Sequence, residues 1–412
     1  MRTWRHCKLG NLLEIKHGFA FLGAHFADHG THILLTPGNF LDEGGFKHKG
    51  DKEKWYQGPI PPEYILNKGD LIVAMTEQAE GLLGSCAIIP TTGLYLHNQR
   101  LGLVKIHSLE QTDRKFIYYL FNSKSIRQQI RASASGAKIR HTAPTRIAEV
   151  NVYIPPLPIQ KRIAGILSAY DELIENSQRR IKILESMARG LYREWFVHFR
   201  FPGHENHPKV PSPLGDIPKG WEVKRLSDVA DVNRLQINAR SAPGRLHYVD
   251  ISSVSPGQID TITTYLFHEA PGRARRVVQH GDVIWSCVRP NRRSHALVIH
   301  PDTNTIASTG FSVLTAKLIP YTFLYFSVTT DDFVNYLTNN ATGAAYPAVT
   351  ATTFEKAKLT VPPSSLLDQF GQFTIPMSEK IHALQRQIQN LRRTRDLLLP
   401  RLLSGQIDLK VD

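Results

Sequence analysis

Short apolar runs recur in two long stretches of the chain. They are rich in branched and aromatic residues and lie between Gly, Pro or Asn: DLIVAM, GLVKI, DVIWSCV and HALVI. This pattern predicts short β-strands. Each stretch then continues into a helix-like pattern, at residues 116–132 and 323–339, and ends at a Pro-Pro pair. Because proline continues neither helix nor sheet, each pair is predicted to close a mixed α/β domain.

The two stretches are copies of one another. Matching segments occur in the same order, at an offset that narrows from 217 to 207 residues: Trp4 with Trp221, Gly69-Asp70 with Gly281-Asp282, Ser135-Gly136-Ala137 with Thr342-Gly343-Ala344, and Pro155-Pro156 with Pro362-Pro363. An ordered series of this kind indicates an internal duplication.

A long amphipathic pattern follows each Pro-Pro pair. Its apolar seam alternates steps of four and three residues in both copies: Tyr170, Ile174, Ser177, Ile181, Leu184, Ala188, Leu191 and Trp195, then Met377, Ile381, Leu384, Ile388, Leu391, Arg395 and Leu398. This spacing is typical of a coiled coil. The shared register favours helices that pack on each other, and the alternative is two amphipathic helices on separate cores.

We therefore predict an α+β protein with an internal pseudo-twofold repeat. Two mixed α/β target recognition domains are separated by two long helices that pair as an antiparallel coiled coil. The predicted regions follow in chain order: recognition domain 1 at 1–153, a central helical spacer at 154–203, recognition domain 2 at 204–360 and a C-terminal helical spacer at 361–412.

Charge adds a functional expectation to this architecture. The formal net charge is +14 over 412 residues, which favours an anionic partner such as nucleic acid; solubility or a basic proteome is the alternative. The three cysteines are far apart and no apolar run is long enough to cross a membrane. We expect a cytoplasmic protein with reduced thiols.

Basic and amide side chains cluster in loops of each copy. Residues 111–150 hold eight Lys or Arg against two acids, and residues 271–300 hold six Arg against one acid. Such groups neutralise phosphates and reach base edges. The candidate DNA-binding residues are Thr76, Gln78, Gln99, Arg100, Lys138, Arg140, His141 and Arg146 in the first copy, and Arg289, Asn291, Arg292, Arg293 and Tyr346 in the second.

The first long helix ends in an aromatic segment. WFVHFRFPG places Trp195, Phe196 and Phe199 close together. Two interpretations stay open for these residues: a local hydrophobic core, or a docking surface for another subunit.

Several segments resemble one known family. IPPLPIQKRIAGILSAYDELIENSQRRIKILESMARGLYREWFVHFRFPG (154–203), LLLPRLLSGQIDL (397–409) and LGNLLEIKHGFAFLGAHF (9–26) are similar to the central helix, C-terminal helix end and domain start of type I restriction-modification specificity subunits. The order of regions agrees over the whole chain. The second copy departs at PPSSLLDQF, where the first has PPLPIQKRI, which weakens residue-level transfer near that hinge.

The resemblance implies a function in host defence. Each recognition domain reads one half of an asymmetric, bipartite DNA target, and the helices set the unread gap. Two methyltransferase (modification) subunits dock on the chain and use S-adenosylmethionine for DNA methylation. Restriction subunits that use ATP and Mg²⁺ can join them. The specificity subunit itself binds no cofactor and has no catalytic activity.

The motifs of independent chemistry are missing from the sequence. The Pro-Pro pairs follow Ile154 and Val361, unlike a base-binding methyltransferase loop, and neither a phosphate-binding loop nor a His-Glu-x-x-His pair occurs. We expect no metal site and no catalytic residues: His97, His141 and His295 are predicted to be surface or DNA-contacting groups, and Asp70 and Asp282 to cap turns. The rival functions are a coiled-coil scaffold without DNA, and an enzyme in its own right.

Overall fold

The computed structural model describes residues 4–77 and 80–409. The chain forms two compact units, one from residues 1–176 and 388–412 and the other from residues 177–387. The predicted boundaries follow the chain at the Pro-Pro pairs, whereas the units divide both long helices. This difference arises because each half of a long helix packs on a recognition domain and becomes part of its core.

The first unit is built from short strands, as the apolar runs predict. In chain order they are β1 (Arg5–Lys8), β2 (Leu13–His17), β3 (Phe26–Ala27), β4 (His32–Leu34), β5 (Trp55–Tyr56), β6 (Leu71–Ala74), β7 (Thr76–Glu77), β8 (Cys86–Ile88), β9 (Tyr95–Leu96), β10 (Leu101–Ile106), β11 (Arg140–His141) and β12 (Asn151–Ile154). One sheet has the order β2-β10-β6-β8, a second has the order β3-β5-β4-β9, and β1 pairs with β12.

The helices of the first unit cover the face of its main sheet. They are α1 (Arg114–Phe121), α2 (Lys124–Ala132), α3 (Pro144–Ala148) and the first part of α4 (Leu157–Tyr192). The predicted helical stretch at 116–132 is two helices, since the chain leaves helical geometry between Phe121 and Lys124. The Asp113 side chain accepts a hydrogen bond from the Phe116 amide and so begins α1.

The second unit repeats this plan. Its strands are β13 (Lys209–Val210), β14 (Ile217–Pro218), β15 (Glu222–Arg225), β16 (Ala230–Val232), β17 (Arg245–Val249), β18 (Val254–Ser255), β19 (Gln258–Ile259), β20 (Thr263–Leu266), β21 (Ala274–Val277), β22 (Val283–Ser286), β23 (His295–Leu297), β24 (Thr305–Ser308), β25 (Phe311–Ala316) and β26 (Lys358–Val361). Its helices are α5 (Leu226–Val229), α6 (Tyr321–Ser327), α7 (Asp331–Asn339), α8 (Ala351–Lys356) and α9 (Ser364–Leu403), of which α9 ends in the first unit.

Sheet topology confirms the duplication. The order β16-β25-β22-β23 in the second unit matches β2-β10-β6-β8 in the first, and β15 pairs with β26 as β1 pairs with β12. Each unit also has a smaller four-stranded sheet with one parallel pair, β4 with β9 and β17 with β24. The predicted helical stretch at 323–339 is again two helices, with Thr330 capping the second.

The two long helices pack against each other inside each unit. In the first unit Arg395 Nη1 lies 2.7 Å from Asp171 Oδ1, and in the second the rings of Tyr192 and Phe370 lie 6.1 Å apart. Residue numbers rise along α4 and fall along α9, so the pairing is antiparallel, as predicted. Every seam position from Tyr170 to Trp195 and from Met377 to Leu398 is buried or half-buried.

Within residues 4–77 and 80–409, no helix is both long enough and apolar enough to cross a lipid bilayer.

Candidate nucleic-acid interface

Three predicted loops of the first unit meet around one main-chain residue. The Met75 amide donates to the Arg100 carbonyl (3.1 Å), and the Thr142 amide donates to the Met75 carbonyl (2.9 Å). The pairing of β7 with β11 then sets Arg140 opposite Glu77 and His141 opposite Thr76. Segments far apart in sequence are thereby held as one surface.

A hairpin at residues 135–141 projects from this junction. Ser135 and His141 exchange two main-chain hydrogen bonds of 3.0 and 2.8 Å. Gly136 has φ +99°, and a Cβ there would lie 2.0 Å from the Ile139 carbonyl oxygen. Only glycine fits this turn, and the turn leaves Lys138, Ile139 and Arg140 exposed to solvent.

The second unit contains the same junction with other residues. The Cys287 amide donates to the Gly310 carbonyl (2.8 Å), and the Val349 amide donates to the Cys287 carbonyl (2.9 Å). Thr342 and Ala348 exchange hydrogen bonds of 2.9 and 2.8 Å, and Gly343 has φ +101°. We call this three-segment arrangement the junction and its projecting turn the hairpin, in both units.

Most candidate residues of the first unit lie on this surface. The exposed ones are Gln99, Arg100, Lys138, Arg140, His141 and Arg146. Arg146 also braces the base of the hairpin, since its Nη1 donates to the Ser133 carbonyl and the Ser135 hydroxyl. Gln78 lies outside the described residues.

Thr76 requires a correction. Its side chain is buried, and its hydroxyl lies 3.2 Å from His141 Nδ1. It therefore positions His141 and does not face DNA directly. Both residues of β7, Thr76 and Glu77, are buried, which the loop composition could not show.

Glu77 was not singled out by the sequence. It is 4% exposed, and its Oε2 accepts hydrogen bonds from the amides of Gly81, Leu82 and Leu83 at 3.1, 3.1 and 2.9 Å. Arg131 lies 3.7 Å away. This buried carboxylate therefore holds residues 81–83 in place beside β7.

In the second unit the structure brings two candidate residues into direct contact. The Arg289 guanidinium lies 4.5 Å from the centre of the Tyr346 ring, and its Nη2 donates to the Ala345 carbonyl (3.1 Å). Arg289 adopts a left-handed backbone conformation (φ +51°), and Tyr346 is 68% exposed. The stack presents an aromatic face and a cation together at the tip of the hairpin.

The candidates Asn291, Arg292 and Arg293 of the second unit lie on the same loop as Arg289. Asn291 and Arg292 are exposed on a 3-10 turn, Pro290–Arg292. Arg293 is half-buried and pairs with Asp331 (2.5 Å). Arg293 is thus partly neutralised, whereas Arg292 extends into solvent.

Two histidines that were predicted to be surface groups are buried. His97 is fully buried, with Nε2 2.9 Å from the Leu101 carbonyl, and burial lowers its pKa to about 4. His295 packs 5.3 Å from the Trp285 ring, and burial, with Arg189 and Arg293 nearby, lowers its pKa to about 4. The prediction was wrong for both, because the surrounding side chains of each domain cover these two rings. Of the three histidines, only His141 is exposed.

The aromatic segment after α4 is local core. Trp195 and Phe196 are 7% and 6% exposed, and the Phe196 ring lies 4.9 Å from both Phe323 and Phe370. Phe199 is half-buried against Trp221 (5.4 Å). The prediction that Trp195, Phe196 and Phe199 form a docking surface for another subunit is therefore corrected. These rings pack on other side chains of the second unit.

Asp70 and Asp282 cap turns, as predicted. Asp70 Oδ2 accepts from the Asn67 amide (2.8 Å), and Asp282 Oδ2 accepts from the Gln279 amide (2.7 Å). Each preceding glycine has a positive φ, +89° at Gly69 and +84° at Gly281. The paired acids are structural and begin equivalent strands.

Comparisons with known proteins identify the family. The family model for the type I restriction modification DNA specificity domain matches residues 1–186 and 218–383. The two matches cover both copies of the duplication, and the chain belongs to this family of type I specificity subunits.

Individual relatives agree with this assignment. The chain is 25% identical over 307 residues to the type I restriction enzyme MjaIX specificity subunit of Methanocaldococcus jannaschii, covering 71% of this chain and 69% of the relative. It is 22% identical to the MjaVIII specificity subunit of the same organism, covering 84% and 81%. The crystal structure of the type I restriction-modification S subunit from M. genitalium has the same fold, with a TM-score of 0.64, 15% identity and coverage of 99% and 97%.

Proposed function

We propose that this specificity subunit binds an asymmetric, bipartite site in double-stranded DNA, with one half-site read by each junction. The observation that carries the proposal is that both units hold the same main-chain junction while its exposed side chains differ. Lys138 and Arg140 have Ala345 and Pro347 as their counterparts. A common frame with different polar groups suits two different half-sites and does not suit a palindrome.

The division of labour within each junction follows from its chemistry. Lysine and arginine side chains beside a groove neutralise phosphates and give salt-dependent affinity. Arginine, glutamine and asparagine also make paired hydrogen bonds to base edges. Gln99 and Arg140 in the first unit and Asn291 and Arg289 in the second have this capacity, and each is held on the junction surface.

The long helices set the gap between half-sites in this proposal. At about 1.5 Å per residue, 36 residues of α4 and 40 residues of α9 correspond to about 54 and 60 Å. A seam that repeats in both helices makes them a stiff pair. We expect the unread gap to have one fixed length.

The proposal also includes the partner subunits, which carry out the catalytic reactions of the complex. Two methyltransferase subunits dock on this chain and use S-adenosylmethionine, and restriction or translocase subunits with ATP and Mg²⁺ can join. The specificity subunit binds no cofactor and contributes recognition without catalysis. Its support is the family membership and a sequence that carries no methyltransferase or phosphate-loop motif.

Methylation mapping tests this proposal. The chain is expressed with its methyltransferase subunits in a host without other methylation, and methylated positions are mapped across the genome. We expect two different half-sites at one fixed separation. Salt-sensitive gel-shift binding of a duplex carrying that site is expected for the assembled complex.

Two results would contradict the proposal. A palindromic methylated site would show that both junctions read the same sequence. Methylation that persists when this chain is omitted would show that recognition lies elsewhere. In the gel shift, a scaffold that does not bind DNA would leave the duplex unshifted at every salt concentration, unlike the salt-sensitive binding expected here.

A further inference from the structure

Two histidines and a glutamate converge at the side of the second unit. His280 lies in the turn before β22, His300 follows β23, and Glu379 lies on α9. His300 Nε2 is 2.8 Å from Glu379 Oε2, and His280 Nε2 is 3.7 Å from Glu379 Oε1. One ligand atom from each residue lies within 4.8 Å of the others. Sequence spacing predicts no metal site here, because the three residues come from three separate segments.

The backbone holds the two imidazoles in this position. The Gly281 amide donates to the Val298 carbonyl (2.8 Å), which joins the two turns. His300 has φ +44°, a left-handed conformation that is uncommon outside glycine. The two imidazole rings lie 4.5 Å apart. An uncommon backbone conformation therefore sets the second ring beside the first.

A fourth candidate ligand lies one turn along α9. His382 follows Glu379 by three residues, so both are on one helix face. Its Nε2 is buried and has no hydrogen-bond partner among the described residues. Its ring lies 6.0 Å from that of His300.

We propose that His280, His300 and Glu379 bind a divalent transition metal ion such as Zn²⁺, with His382 as a candidate fourth ligand. Imidazole and carboxylate ligands suit Zn²⁺, and four ligands at about 2.0–2.1 Å stand about 3.3 Å apart in a tetrahedron. The ligand atoms of His280, His300 and Glu379 lie within 4.8 Å of one another, so each of these three separations must change by no more than about 1.5 Å. The side chains of His280, His300 and Glu379 are 39%, 60% and 33% exposed, so an ion can reach them from solvent.

One hydrogen bond must change when the ion binds. The His300 amide donates to His280 Nδ1 at 3.3 Å, so in the metal-free form the proton of a neutral His280 ring is on Nε2. Coordination through Nε2 moves this proton to Nδ1 and breaks the contact. A long neutral hydrogen bond is much weaker than a metal–imidazole bond, so the exchange favours the bound ion.

The bound ion would tie three segments of the second unit together. Strand β22 runs from the turn at His280 towards the loop of Arg289, and α9 carries the coiled-coil seam. The metal would therefore hold the strand that leads to the second junction against the long helix. This inference does not rest on DNA binding, and its test contains no DNA.

Calorimetric titration of the full-length chain with Zn²⁺ tests the proposal. We expect one saturable site at pH 7.5 that weakens as the pH falls, because protons compete for imidazole. His300→Ala and Glu379→Gln should each weaken binding about tenfold or more. His268→Ala is the matched control, since His268 makes a 3.7 Å contact with Glu269 in the same unit and should leave the affinity unchanged.

A Co²⁺ titration gives a second readout that needs no variant. Visible absorption bands of low-symmetry, imidazole-bound Co²⁺ are expected on the wild-type chain, and Zn²⁺ should displace them. Absence of a saturable site in the wild type would overturn the proposal. Equal affinity in His300→Ala, Glu379→Gln and wild type would also overturn it, since the ion would then be held by other histidines. Circular dichroism checks that each variant is folded.

Discussion

The hairpin of the first unit presents Lys138, Ile139 and Arg140, whereas that of the second presents Ala345, Tyr346 and Pro347. Both are closed by the same pair of main-chain hydrogen bonds and the same glycine turn. Main-chain bonds do not depend on side-chain identity, so this frame tolerates exchange of nearly every exposed residue. The duplication thus separates what must stay constant for folding from what can vary for recognition.

The residue two positions after Met75 and after Cys287 makes the contrast sharper. Glu77 and Arg289 are equivalent in the repeat, yet one is a buried carboxylate that binds three amides and the other a half-buried cation stacked on an exposed ring. The first unit uses this position to build its loop. The second uses it to build its outer surface.

Acid should destabilise both units through their buried histidines. His97 and His295 have a folded-state pKa of about 4, below the ordinary value of about 6.5. The unfolded chain takes up these protons first, so stability is complete above about pH 6.5 and falls towards pH 4. The expected loss is about 3 kcal/mol for each histidine.

Thermal melting from pH 7.5 to pH 4.5 measures this loss. His97→Gln can still donate to the Leu101 carbonyl, and it should flatten the pH dependence. His29→Gln, at an exposed position, is the control and should change nothing. The buried-histidine explanation fails if the two variants have the same pH profile.

Removal of the buried Glu77 carboxylate should lower the free energy of unfolding, because this group accepts hydrogen bonds from main-chain amides. Glu77→Ala leaves three main-chain amides without their acceptor, and we expect a loss of about 2 kcal/mol in the free energy of unfolding. Glu77→Gln keeps one acceptor oxygen and should lose less. Glu80→Ala is the matched control, because Glu80 also pairs with Arg131 but is 77% exposed. Denaturant unfolding compares them, and equal losses for Glu77→Ala and Glu80→Ala would contradict the structural role.

Charge on the first hairpin should govern salt-dependent affinity. Lys138→Ala combined with Arg140→Ala removes two cations, so the slope of log affinity against log salt should shrink by about 1.8. We expect about tenfold weaker binding at low salt, with the second half-site still discriminated. Lys68→Ala is the control, since Lys68 is exposed at the opposite end of β6. An equal effect of Lys68→Ala would place the phosphate contacts elsewhere.

Much of this fold can be predicted from the sequence. The 4-3 seam predicts the antiparallel helices because burial follows helix periodicity directly, and the duplication predicts matched sheets. Exposure at the junction is harder to predict: Thr76 and His97 are polar residues next to basic ones, yet the fold buries both side chains. The sequence is compatible with Trp195 and Phe196 at the surface or in the core, because the partner rings Phe323 and Phe370 are distant in the chain.

Contacts between distant segments lay beyond the sequence pattern. The stack of Arg289 on Tyr346 joins residues 57 positions apart through a left-handed backbone at Arg289. An isolated apolar residue in a polar loop carries no charge signal, so the sequence marks Ile139 on the hairpin only through its equivalence to Tyr346 in the repeat.

The Arg289–Tyr346 stack gives the smallest and most selective prediction. Arg289→Lys keeps the positive charge but loses the planar stack and the bond to the Ala345 carbonyl. We expect affinity for the full target to fall about two- to fivefold, the effect of one exposed cation–π contact. Competition binding with duplexes altered in one half-site at a time should show weaker discrimination at the second half-site alone.

Tyr346→Phe keeps the ring and should behave nearly as wild type, whereas Tyr346→Ala should match Arg289→Lys. Arg240→Lys, exposed in the same unit and outside the junction, is the control. A loss of discrimination at the first half-site would show that the two junctions do not read DNA separately.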